Sequence, residues 1–160
     1  MSIQRMSARL IIATVFAVFP LAVLAQSAHY ITGPTCVSNG LTVTCTGRIA
    51  GLGNGNVTGT LDFPNATATT ICTSPGGNQA PGQNPAVPVE VSGTASFGSP
   101  KNGNLSFTLT TDQPANPTPQ EAGCPNKNWT ATINTITFGT GTLDIFQGGV
   151  LVLSTQVTVQ

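Results

Sequence analysis

The stretch Leu41-Thr42-Val43-Thr44-Cys45-Thr46-Gly47-Arg48-Ile49 alternates apolar or small residues with threonine and arginine. Successive side chains of an extended strand point to opposite faces, so a period of two places Leu41, Val43, Cys45 and Ile49 on a core. Thr42, Thr44, Thr46 and Arg48 then meet water. Threonine suits the wet side because its branched β-carbon favours extended backbone while its hydroxyl is solvated.

The same period recurs on both sides of this stretch. Val57, Gly59, Leu61 and Phe63 alternate with Thr58, Thr60 and Asp62, and Leu105, Phe107 and Leu109 with Ser106, Thr108 and Thr110. Val87, Val89, Val91, Gly93, Ala95 and Phe97 read as one further strand. Trp129, Ala131 and Ile133 continue the scheme, and Ile136 and Phe138 then fall on the opposite parity, so a bulge is expected near Asn134-Thr135. Leu143 and Ile145 lead into a Gly148-Gly149 hairpin turn, and Leu151, Leu153, Val157 and Val159 form the closing strand. No window carries an apolar stripe at helical spacing, and glycine or proline punctuates the gaps. The expected class is therefore all-β: an antiparallel β-sandwich of immunoglobulin-like kind with about seven to nine strands. A small β-barrel is the alternative.

The first residues obey different rules. Arg5 and Arg9 precede an apolar run from Leu10 to Ala25, broken only by Thr14 and Pro20. A basic start, a short apolar run and the residues Val23-Leu24-Ala25 are the pattern of an export signal cleaved before Gln26. The run falls short of the roughly twenty residues that span a bilayer. The expected organisation is a signal peptide over 1–25 and a single β-sandwich domain over 26–160, secreted, periplasmic or on the cell surface. No membrane span is expected in the mature chain.

The cysteines agree with export. Cys36, Cys45, Cys72 and Cys124 all follow the signal, and an even number in an oxidising compartment reads as two disulfides. Their spacing lacks the paired Cys-x-x-Cys pattern of zinc sites, and His29 stands alone, so no metal and no cofactor is expected. The favoured pairs are Cys36–Cys45 and Cys72–Cys124. An Asn39-Gly40 turn would bring the first two together, provided the turn is longer than two residues or bulged. The second bridge would hold together the bases of two long loops, Thr73 to Ala86 and Asp112 to Asn128.

Charge is sparse, at 6% of the chain. Beyond the signal, Arg48, Lys101 and Lys127 stand against Asp62, Glu90, Asp112, Glu121 and Asp144. Nothing here makes a basic footprint for phosphate backbones, so nucleic acid is not an expected partner. Nucleophilic catalysis needs a base beside the nucleophile, and neither the lone His29 nor Lys101 or Lys127 in their Asn/Gly/Pro loops supplies an evident one, so no catalytic residue is assigned. The five carboxylates are the only groups from which a hydrolase could be built, given two that face each other in a cleft. Repeated Thr-x-Thr pairs, Thr42/Thr44 and Thr108/Thr110 among them, read as outward strand residues. Trp129 reads as a core anchor, and Tyr30 and Phe146 as the more exposed aromatics. The sequons at Asn56, Asn65, Asn104 and Asn128 are expected by chance in a chain so rich in Asn and Thr.

Several stretches, Cys72 to Pro85, Gly47-Arg48-Ile49-Ala50-Gly51-Leu52-Gly53, Cys124 to Thr130 and Gln147-Gly148-Gly149, resemble small exported bacterial proteins. The resemblance implies a bacterial source and a stand-alone domain, and it carries no activity or ligand. The sequence thus points to a secreted or cell-surface, non-enzymatic binding or interaction module for an extracellular protein or polysaccharide. The alternatives are a secreted protease inhibitor, a carboxylate-based hydrolase of envelope polysaccharide, and a pilus or coat subunit.

Overall fold

A computed structural model describes residues 27–160; the expected signal segment and its cleavage point before Gln26 lie outside the described residues. Eleven strands follow one another: β1 (His29–Ser38), β2 (Val43–Ala50), β3 (Val57–Phe63), β4 (Thr67–Thr73), β5 (Gln79–Pro81), β6 (Val87–Pro88), β7 (Val91–Gly98), β8 (Leu105–Thr110), β9 (Thr130–Thr137), β10 (Thr140–Gln147) and β11 (Val150–Thr158). All the strand ladders are antiparallel, and β5 and β6 are only three and two residues long. The other nine meet the upper end of the expected count.

Two sheets make the body. The first has the order β1-β2-β8 and the second β11-β10-β3-β7. The residues assigned inward by alternation fill the space between them: Val43, Cys45, Ile49, Phe107 and Leu109 from the first sheet meet Val57, Leu61, Phe63, Leu143 and Ile145 from the second. Leu61, Leu109, Leu143 and Ile145 are wholly buried, and each such side chain contributes about 2 kcal/mol relative to exposure. Gly59 sits under this layer, where an added Cβ would lie 2.9 Å from Phe97 Cε2 and 3.0 Å from Leu109 Cδ1. Its missing side chain is the room that lets Phe97 and Leu109 meet.

The third sheet continues the second. Its order is β9-β4-β6, with β5 further along the β6 side of β4. Three chain segments cross from one sheet to the other, β3 into β4, β6 into β7 and β9 into β10, and they keep the same side-by-side order. The run Val87 to Phe97, expected as one strand, is therefore two. Pro88 has no N–H to carry the ladder onward, and the chain changes sheets at 89–90, where the Val89 N–H donates to Ala66 O at 3.0 Å.

Local expectations hold in detail. Ser38 pairs with Val43, leaving a four-residue loop that sets Cys36 opposite Cys45 with their Cα atoms 4.0 Å apart. The β4–β9 ladder shifts register between Thr69 and Thr70, pairing them with Thr135 and Ile133 and leaving Asn134 as the extra residue. Gln147 pairs with Val150 around Gly148 and Gly149, both at positive φ, as a two-residue hairpin requires. The loop expected over Thr73 to Ala86 is partly ordered as strand: its Ser74–Asn78 turn returns β5 onto β4. No helix of the described residues is long and apolar enough to cross a membrane.

Candidate functional site

The Cys72–Cys124 bridge positions the longest non-strand segment, which runs from β8 to β9. The Asp112 N–H donates to Ser92 O at 2.8 Å, tying the start of the segment to β7. Asn116 Oδ1 accepts from the Ile133 N–H at 2.9 Å, beside the Asn134 bulge. The segment is thereby drawn across one face of the third sheet, where Ala68, Thr70 and Cys72 are buried.

Its second half is one capped turn. Thr118 Oγ1 accepts from the Glu121 N–H at 3.3 Å, and Glu121 Oε2 accepts from both the N–H and the hydroxyl of Thr118 at 2.8 Å each. This is a reciprocal capping box, with Pro119 in the first position of the turn. The Ala122 N–H then donates to Thr118 O, and the Cys124 N–H to Pro119 O. The hydrogen bonds from the Thr118 backbone and then its side chain hold the Glu121 carboxyl below its usual value. On the other side, Asn84 donates from its backbone to Ala122 O and from Nδ2 to Glu121 O. Cys72, Ala122 and Ala131 form a small second core, with Trp129 and Cys124 packed against it.

Between this segment and the β6–β7 crossing lies a cleft of about 340 Å³. Pro88, Pro114 and Pro117 supply stiff walls, and Glu90, Asp112 and Glu121 all line it. Three of the five acidic residues of the chain thus line one cleft, the carboxylate of Glu121 being turned onto Thr118. Asp62 is exposed on β3, and Asp144 is half-buried on β10. Among the described residues, no three His, Cys, Asp or Glu side chains lie close enough to hold a metal ion.

The other residues singled out in the sequence are dispersed. His29 is exposed at the start of β1, its Nδ1 3.0 Å from Ser27 O. Lys101 and Lys127 are exposed outside the named strands, and so are Asn56, Asn65, Asn104 and Asn128. Trp129 anchors the small core rather than the main one. Tyr30 and Phe146 are half-buried, whereas Phe63, Phe107 and Phe138 are buried. Tyr30 packs against Phe107 with ring centroids 6.4 Å apart, and its hydroxyl is buried without a well-aligned partner. Burial raises its pKa, Thr155 offsets part of that, and the field of Asp144 adds to it. Outward threonines do fall into register on the first sheet, where Thr46 lies between Thr35 and Thr108, and the hydroxyls of Thr44 and Thr110 pair at 2.9 Å.

Sequence reasoning missed the capped turn, although Thr118-Pro119-Gln120-Glu121 spells the motif. It also missed the contact between Gln147 and Gly53, which no local pattern encodes. Comparison of this chain with protein-family models, curated proteins and solved structures finds no match in any of the three.

Proposed function

We propose that this chain is an exported, non-enzymatic binding module that engages an extracellular protein or polysaccharide through the cleft beside its proline-rich segment. The observation that carries the reading is the convergence of Glu90, Asp112 and Glu121 on one cleft with stiff proline walls. Such a surface favours a ligand bearing amine or guanidinium groups, which the carboxylates would pair at little ordering cost to the protein. Two disulfides suit an oxidising compartment outside the cytoplasm. An immunoglobulin-like plan would serve such a role by holding the segment on a rigid body.

The test is binding of a lysine- or arginine-rich peptide and of a partly deacetylated amino-sugar polymer, read by calorimetry. The double variant Glu90→Gln, Asp112→Asn should weaken binding about tenfold or more at low salt, and salt should do the same to the wild type. Equal affinity for neutral and cationic probes would overturn the reading.

A second reading, a carboxylate-based hydrolase, is favoured by the same convergence. Its chemistry needs one carboxyl that stays protonated to act as acid. Glu121 is displaced in the opposite direction by its cap, which leaves Glu90 and Asp112 as the pair. Release of reducing sugar from envelope polysaccharide, abolished by Glu90→Gln, would establish this reading instead.

A further inference from the structure

The two seams of the sandwich body are closed very differently. At one, β7 and β8 are joined by the Lys101–Asn104 turn and laced together by Asp112 N–H to Ser92 O. At the other, β1 and β11 run parallel and share a single bridge, Cys36 to Val159, beside which the Gln160 N–H donates to Cys36 O. Among the described residues, β11 pairs from Val150 to Thr158 with β10 alone. Its outer edge offers a row of backbone donors and acceptors, and only another extended strand matches that row.

Natural edge strands are blunted with charge or proline, or kept short. Strand β11 is nine residues long, Val-Leu-Val-Leu-Ser-Thr-Gln-Val-Thr, with no charged residue, proline or glycine. Its one irregularity is a register shift between Ile145 and Phe146 of β10, which leaves Val152 extra near the hairpin and Leu153–Thr158 regular. The large hydrophobic side chains exposed among the described residues all lie on the two strands of this seam: Ile31 at 49% and Val37 at 44% on β1, Val150 at 66% and Leu151 at 51% on β11. The eight Asp, Glu, Lys and Arg residues beyond the expected signal all lie off these two strands.

We infer that β11 is a self-association edge, pairing antiparallel with β11 of a second copy about a two-fold axis near Thr155. The two four-stranded sheets would then join into one of eight strands. The absence of charge selects this occupant. A charged partner finds nothing to pair with on the edge, whereas an identical edge meets no like-charge repulsion and satisfies its hydrogen bonds symmetrically. The contact is narrow, so the dimer is weak and forms at high local concentration.

The experiment is sedimentation velocity of the secreted protein over a concentration series up to about 1 mM, with one double variant and two single ones. Ser154 and Gln156 are exposed and would face each other across the axis, so Ser154→Lys with Gln156→Lys places like charges on the new ladder while leaving the core untouched. The wild type should dimerise, and the double variant should weaken the dimer roughly tenfold or more with an unchanged melting temperature. Thr108→Lys, on the outer face of the first sheet, should leave the dimer intact. A wild type that stays monomeric, or a dimer that resists the double variant, would overturn the proposal. So would a dimer that dissolves only with Ile31→Lys, because that result places the contact on β1.

Discussion

At the residue scale, one side chain joins two distant turns. Gln147 Oε1 accepts from the Gly53 N–H at 2.9 Å, and its Nε2 donates to Gly53 O at 2.7 Å. The side-chain amide thus acts as a one-residue strand for a loop whose backbone has no ladder of its own. Two neutral hydrogen bonds on an accessible loop contribute about 1–2 kcal/mol together. Gln147→Ala should therefore lower the unfolding free energy by about that much, measured by urea denaturation with an unchanged m-value. Gln147→Glu keeps the acceptor but sets a carboxylate oxygen against Gly53 O, so it should destabilise at least as much as Gln147→Ala at neutral pH. Such a contact is invisible in the sequence, because Gln147 and Gly53 meet only through the pairing of β10 with β3.

Among the elements, the capped turn at Thr118–Glu121 is the smallest that can be tested by pH. Its carboxylate is held below its usual value by hydrogen bonds from Thr118. A group whose folded pKa is depressed contributes stability that is present above its unfolded value and lost as pH falls through the folded one. The stability difference between wild type and Glu121→Gln should thus be full at neutral pH. It should shrink through the usual carboxylate range and below, as followed by thermal melts at stepped pH. The turn is legible as a motif, yet the prolines around it make the whole segment read as loop.

The opposite holds at Val87 to Phe97. There the inward alternation is unbroken, so the sequence reads one strand, yet Val87-Pro88 belongs to the third sheet and Val91–Gly98 to the second. Alternation records which face is dry, and both sheets dry the same face of the chain as it passes between them. The bulge at Asn134 is legible for the converse reason: a change of parity within a continuous run requires one extra residue to restore the phase.

On the scale of the molecule, the two disulfides do unequal work. Cys36–Cys45 spans 9 residues within a hairpin, and Cys72–Cys124 spans 52 and fastens the cleft segment to the third sheet. In the chain-entropy account, the short loop is worth about 2.5 kcal/mol and the long one about 4 kcal/mol. Replacing Cys72 and Cys124 by alanine should therefore lower stability more than replacing Cys36 and Cys45, by about 1.5 kcal/mol in guanidinium unfolding. Trp129, the one tryptophan of the chain, packs on the small core beside Cys124, so its fluorescence should respond to the first replacement and ignore the second. If the two variants unfold at equal denaturant concentration, the long bridge contributes no more than the short one by fastening the cleft segment to the third sheet.

The amino-acid sequence alone determined the in-and-out assignment of most strand residues and the turn positions, whereas the disulfide pairs it only favoured are set by the tertiary structure. Each of the first two is set by a residue and its near neighbours: a two-residue period, a glycine pair. Only the tertiary structure decided which strand lies beside which, and hence the acid-lined cleft and the unguarded edge of β11. Strands with the same alternating pattern are interchangeable in what they bury. Their pairing is settled by which arrangement closes the long loops and covers the most edges at once. Glu90, Asp112 and Glu121 come together because that closure draws the segment after β8 across the junction of two sheets. Among the described residues, the outer edge of β11 carries no strand ladder.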